Sequence, residues 1–296
     1  MLTISPQSSS VATSNRAIGP VLLIGGSGML GRAWRELLMK QGIDCVAPSH
    51  AELDLTQPDS IERFVTGEFP TVINCSAWTD VDGAEKNFDG AKALNATAVA
   101  NLAARCGRVN ATLVHYSTDY VFNGLDNGPY PVDAPIAPIN VYGQTKALGE
   151  AALQQSGCRY LLIRTSWLYA PWAKNFVRTI AKACKEKPSL KVVNDQRGRP
   201  TSSEHLANLT LGLLQKNATG IYHGSDGGQC TWFDFATEIA RIVNPSCKVE
   251  PCVTSDFPRP AKRPAYSVFS LEKTENELGP MPDWKVNLKS VLERLE

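Results

Sequence analysis

The chain has 296 residues, 43% of them hydrophobic and 20% charged. That is length for about two ordinary domains and composition for a buried core, which excludes a disordered chain. Thirty basic residues against 29 acidic leave a net charge of +1, which argues against a sequence-independent grip on nucleic acid or on an anionic membrane. No apolar run is long enough to span a bilayer.

Residues 1–19 are rich in Ser, Thr and Asn, with no periodicity and no continuous apolar stretch. They read as a disordered leader rather than a secretory signal. From Val21 onward strand and helix signals alternate. Val21–Ile24 is a short apolar strand, Gly25–Gly31 a glycine-rich turn, and Met29–Lys40 a helix. Cys45–Ala47 is a second strand, Pro58–Val65 a helix opened by Pro, and Val72–Cys75 a third strand. A helix follows from about Asp89 to Arg105, then a strand at Thr112–Tyr116 and a proline-rich loop at Leu125–Pro138. Val141–Gln155 is a helix and Tyr160–Arg164 a strand. Apolar strands separated by helices predict an α/β fold, a doubly wound parallel sheet of Rossmann type over residues 20–165.

Residues 166–296 are less regular and read mainly as a smaller C-terminal α/β substrate domain. Helices are predicted at Asn175–Lys185, from the caps at Thr201–Ser203 through Leu214, and at Phe233–Ile242, Ser270–Leu278 and Val286–Leu295. Strands are predicted at Leu190–Val193 and Gly220–His223, both expected to return to the first sheet. Pro245–Pro264 is read as a basic, proline-rich loop. The eight cysteines form no Cys-x-x-Cys pair and no zinc-finger spacing, so the expected setting is the reducing cytoplasm.

Chemistry concentrates in three places. Gly25, Gly28 and Gly31 lie between a strand and a helix, as in a dinucleotide fingerprint. Met29 and Leu30 open that helix, whose N–H groups and dipole suit a pyrophosphate. The end of the second strand, Pro48-Ser49-His50, has no acid for a ribose 2′-hydroxyl, whereas Arg32 follows the last glycine. This favours NADPH over NADH without excluding NADH; the alternative for Arg32 is a solvated helix position. Asp54, before Leu55, suits an adenine hydrogen bond or a helix cap. Tyr142 and Lys146, four apart on a helix, share one face. A tyrosine there is a proton donor whose pKa a neighbouring ammonium lowers; the alternative is an exposed helix face. Thr118 lies 24 residues before Tyr142, just past the end of a strand, where ligands of such sheets sit. The three complete a Ser/Thr–Tyr–Lys set able to polarise a ketone.

With these motifs stand Asn74–Asp82, His115–Phe122, Arg164-Thr165-Ser166-Trp167 and Asn194–Thr201. In them the sequence resembles the extended short-chain dehydrogenase/reductases and, among those, the dTDP-4-dehydrorhamnose reductases. The resemblance implies NAD(P)H-dependent reduction of the C4 ketone of dTDP-4-dehydro-L-rhamnose to dTDP-L-rhamnose, in nucleotide-sugar biosynthesis. It makes Tyr142 the proton donor, Lys146 its electrostatic partner and a nicotinamide-ribose ligand, and Thr118 a substrate ligand. Asp119 would lie against the sugar, and Trp167 would line its pocket or else pack in the core. Ala77, Trp78, Thr79 and Tyr116 would border the cofactor. A sugar diphosphate calls for basic donors, and Arg263, with Arg259 and Lys262 beside it, is proposed for that role. Ala33 stands where some members carry an acid associated with magnesium at a dimer interface, and Glu204 alone matches a second such position; no metal is expected, and a homodimer stays open. The alternatives are another nucleotide-sugar 4-ketoreductase, an epimerase, or a non-catalytic regulatory subunit like the beta subunit of methionine adenosyltransferase.

Overall fold

A computed structural model describes residues 18–295. The expected leader lies outside them except for its last two residues, of which Ile18 is buried in the main core.

The strands, in chain order, are β1 (Val21–Ile24), β2 (Cys45–Val46), β3 (Thr71–Asn74), β4 (Thr112–Thr118), β5 (Tyr160–Thr165), β6 (Leu168–Tyr169), β7 (Ser189–Val193), β8 (Arg197–Gly198), β9 (Thr201–Ser202), β10 (Gly220–His223), β11 (Cys230–Thr231) and β12 (Lys248–Cys252). Six form one parallel sheet in the order β10-β5-β4-β3-β1-β2. All four residues of β1 and all four of β3 are buried, as a sheet covered on both faces requires. One face packs on the helices Met29–Gln41 and Ser203–Gln215 through Trp34, Leu38, Leu206 and Leu213. The other packs on Pro58–Phe64, Ala98–Arg108 and Val141–Gln155 through Ile61, Leu102 and Leu153.

The chain runs from β1 to one side for β2 and to the other for β3. The order therefore reverses between β1 and β3. Helix connections there leave opposite faces of the sheet, which opens a crevice beyond the strands' carboxyl ends.

Three expectations for the chain need correction. β10 joins the main sheet, but the strand at Leu190–Val193 does not: as β7 it pairs in parallel with β12 in a separate two-stranded sheet. β12 lies inside the stretch read as a loop. Its Pro251 is tolerated because a two-stranded sheet has an open edge on which a missing N–H costs nothing. The single helix expected at Asp89–Arg105 is a series: Phe88–Lys92, a wide π turn at Ala93–Thr97, and Ala98–Arg108. Its start is set by Asn87, whose side chain accepts the Gly90 N–H.

A separate apolar cluster lies in the C-terminal region, where Phe235 and Ile239 meet Val177, Ile180 and Leu288. Among the described residues no helix is long and apolar enough to cross a membrane.

Candidate active site

A cavity of about 680 Å³ opens at the carboxyl ends of β1, β3, β4 and β5. Its floor at β1 is the glycine turn. Gly25, Gly28, Met29 and Leu30 line it. Gly31 sits behind the wall, where a Cβ would come within 2.1 Å of the Gly25 carbonyl oxygen; only glycine lets the helix approach the strand this closely. Gly28 caps the helix Met29–Gln41 without a side-chain hydrogen bond. The first-turn N–H groups and the positive end of the dipole are thus left for an anionic ligand.

Leu55, Ala77, Thr79 and Tyr116 also line this cavity. The Tyr116 hydroxyl is used elsewhere, accepting from Trp34 Nε1 at 2.8 Å and donating to Thr210 at 3.2 Å. Besides Gly31, four expected ligands do not line it. Arg32 pairs with Glu36 at 3.0 Å and stacks over Trp172, 4.3 Å from the ring centroid. Asp54 turns Oδ1 to the backbone N–H and hydroxyl of Thr56. Trp78 points its indole N–H at the Asp80 carbonyl, while its own backbone is held by Asn95. Arg263 forms a two-pronged pair with Asp82 at 2.9 and 3.1 Å and faces a neighbouring cavity.

Thr118, Asp119, Tyr142 and Lys146 all line the main cavity. The helix Val141–Gln155 that carries Tyr142 and Lys146 is started by Asn140, whose side chain accepts the Gly143 N–H. Burial pushes the Tyr142 phenol up to about 12, with the Asp119 carboxylate adding to the rise; a hydrogen bond with Thr118 works against both. The expected lowering by Lys146 is not found. Lys146 Nζ donates to the Tyr116 carbonyl at 2.6 Å and faces His115 Nε2 at 3.3 Å instead. Burial in turn lowers Lys146 to about 8, opposed by Glu150. Asp119 is buried and raised to about 6, held by the hydroxyls of Ser267 and Thr118. At neutral pH the tyrosine is therefore a phenol, the form that can give a proton.

Trp167 lines the cavity and adopts a φ of +46°, a conformation rare outside glycine and costly enough to need a reason. In that conformation its ring stacks on Trp232, ring centroids 3.6 Å apart.

Known proteins match this arrangement along nearly the whole chain. Residues 19–296 match the family model described as RmlD substrate binding domain. A curated dTDP-4-dehydrorhamnose reductase of Burkholderia thailandensis is 37% identical, over 90% of this chain and 95% of its own length. The chain belongs to the dTDP-4-dehydrorhamnose reductase family. Among solved members, a dTDP-4-dehydrorhamnose reductase from Clostridium acetobutylicum superposes with a TM-score of 0.88 at 38% identity, covering 92% of this chain and 98% of that one. The Bacillus anthracis reductase, solved in complex with NADP, does so with a TM-score of 0.88 at 35% identity and the same coverages.

Two positions tied to magnesium in some family members are used differently here. Glu204 is engaged by the Arg294 guanidinium, and Ala33 is buried in the core. Among the described residues no group of three or more His, Cys, Asp or Glu is placed to hold a metal.

Sequence reasoning missed several residues that shape this family's site in the present chain. Ser117 and Thr165 line the cavity, and their buried hydroxyl oxygens have no protein partner among the described residues. A ligand would satisfy them. Both lie inside sequence motifs, His115–Phe122 and Arg164–Trp167, that carry the family resemblance. Trp232 had no such signal. It starts a helix from the C-terminal region and lines both the main cavity and the neighbouring one of about 670 Å³, as does Tyr120.

Proposed function

We propose that this chain is an NADPH-dependent reductase that converts dTDP-4-dehydro-L-rhamnose to dTDP-L-rhamnose. The observation that carries the reading is the meeting, in one cavity, of an uncapped helix N-terminus with a protonated, half-buried Tyr142 beside Thr118. The family relatives named for this reaction support the substrate, and the relative solved with NADP supports the cofactor. NADH is the cofactor to compare.

The cofactor, when bound, supplies a hydride to C4 of the sugar. The first turn of Met29–Gln41 would hold its pyrophosphate. Thr118 positions the ketone oxygen and Tyr142 gives it a proton as the oxyanion develops. The neutral phenol suits a reduction, since the tyrosine must donate and not accept. Lys146 supplies a positive charge behind the phenolate left on Tyr142. Asp119 and Trp167 border the sugar. The unpartnered hydroxyls of Ser117 and Thr165 are ready acceptors and donors for ligand groups.

Residues 20–165 hold the cofactor in this reading, and residues 166–296 mainly hold the sugar nucleotide. The nucleoside diphosphate lies in the neighbouring cavity, reached past Tyr120 and Trp232 and lined by Arg259, Lys262 and Arg263. Arg263 is already paired with Asp82 at 2.9 Å and Arg259 lies 4.0 Å from the same carboxylate, so Asp82 offsets part of this loop's positive charge. Eight free thiols and a sugar-nucleotide substrate suit the cytoplasm.

The test is the purified chain mixed with NADPH and dTDP-4-dehydrorhamnose, read at the nicotinamide absorbance and by sugar analysis. One NADPH oxidised per 6-deoxysugar reduced is expected. An epimerase would change the sugar without consuming NADPH, and a regulatory subunit would change neither.

A further inference from the structure

His115 takes no part in the mechanism above, yet it lies against the lysine that does. It is buried in the middle of β4, and Lys146 Nζ stands 3.3 Å from its Nε2. On its other side Asn74 of β3 places Nδ2 3.2 Å from His115 Nδ1.

Hydrogen-bond accounting orders these groups. The Asn74 amide oxygen accepts the Ser76 N–H at 2.9 Å, which leaves its NH₂ turned to the imidazole. An amide nitrogen only donates, so His115 Nδ1 must accept. A neutral imidazole then carries its proton on Nε2, aimed at Lys146 Nζ. An ammonium has three protons and no lone pair, so it cannot accept that N–H. A neutral amine can. The ring itself stays neutral, because burial and the facing lysine both disfavour an imidazolium.

We propose that His115, its tautomer fixed by Asn74, is a positioning residue that weakens the hold of Lys146 on its proton and so sets the alkaline limit of catalysis. The proposal rests on the reductase reading, in which Lys146 stands behind Tyr142. The groups around Lys146 divide clearly. Glu150, one turn along the same helix, favours the ammonium, but its carboxylate is held by Arg164 of β5 at 2.8 Å. The Tyr116 carbonyl from β4 accepts from Nζ in either charge state. Tyr142 is neutral at rest, and Asp119 acts on Tyr142. His115 opposes the ammonium from the sheet side.

Two measurements test this. In protein labelled with ¹⁵N-histidine, long-range ¹⁵N–¹H correlations should show His115 protonated on Nε2 alone from about pH 5.5 to 9, a range that includes the one over which an ordinary histidine sheds its charge. A proton on Nδ1, or a doubly protonated ring, would overturn the proposal. In the profile of kcat against pH for the holoenzyme, His115→Phe removes the opposing N–H. The alkaline limb should then move up by roughly half to one pH unit. A limb that stays in place, or moves down, contradicts the proposal. The tautomer is read without turnover, so an inactive chain would fail the reductase reading and leave this one to be judged on the spectrum.

Discussion

Tyr142, Lys146 and Thr118 were legible in the sequence because each belongs to a short motif at fixed spacing, and the cavity gathers all three. Their electrostatics were not legible. Spacing places a lysine on the same helix face as a tyrosine, but the lysine's partner comes from β4, a contact that only the fold reveals. Arg32, Asp54 and Trp78 were read by position after a glycine turn or strand. Their side chains have protein partners that position alone does not announce, Glu36, Thr56 and the Asp80 carbonyl. Gly198 is a residue whose role no motif announced. A Cβ there would come within 2.7 Å of the Trp167 indole, which is stacked on Trp232 and has little room to move. Gly198→Ala should therefore push Trp167 into the sugar pocket. The expected result is a KM for the sugar nucleotide raised about three- to tenfold, with NADPH affinity unchanged by calorimetry. Equal weakening of both ligands would count against the placement of Trp167 beside the sugar.

Besides its apolar packing, the helix Val141–Gln155 is tied to the sheet by a buried ion pair on the helix that carries Tyr142 and Lys146. Glu150 and Arg164 are 0% and 2% exposed and meet through two guanidinium nitrogens at 2.8 and 3.0 Å. Arg164 also donates to the Val132 carbonyl at 2.8 Å, tying down the proline-rich loop. Removing one partner strands a buried charge. Arg164→Met should cost about 3–5 kcal/mol of unfolding free energy, measured by urea titration, and lower kcat as the helix loosens. A loss below about 1 kcal/mol would mean that the helix is held by packing alone. The sequence showed this helix and the strand after it nearly to the residue, because both have strong periodic or apolar signals. It did not show β12 or the π turn at Ala93–Thr97. A proline-bearing edge strand looks like a loop until its partner is known. The π turn serves Asn95, which reaches the backbone of Trp78 and the Thr145 hydroxyl across three elements.

Across the whole molecule, the Rossmann half was readable because its order follows from local rules of crossover and burial. The C-terminal region was not, since its short strands gain meaning only from distant partners. Asp226 shows this well. It is buried and takes hydrogen bonds from Tyr169, Ser202 and Asn287, joining β6, β9 and the helix Trp284–Leu292. Burial raises its carboxyl to about 7. Below about pH 4 it is protonated whether the chain is folded or not. As pH rises toward 7 the unfolded chain ionises first, so stability falls across that window and levels off above it. Asp119, raised to about 6, adds to the fall over its lower part. Asp226→Asn should flatten the decline, by about 1.4 kcal/mol for each pH unit over which the carboxyl was displaced. An unchanged slope of Tm against pH would show that Asp226 ionises freely in the fold. In the reductase reading everything turns on Tyr142 giving its proton to the ketone oxygen. The most direct test is Tyr142→Phe, compared with the parent chain for NADPH binding and for turnover of dTDP-4-dehydrorhamnose. We predict unchanged cofactor affinity and a kcat lower by roughly 100- to 10,000-fold; turnover at the parent rate would contradict the account.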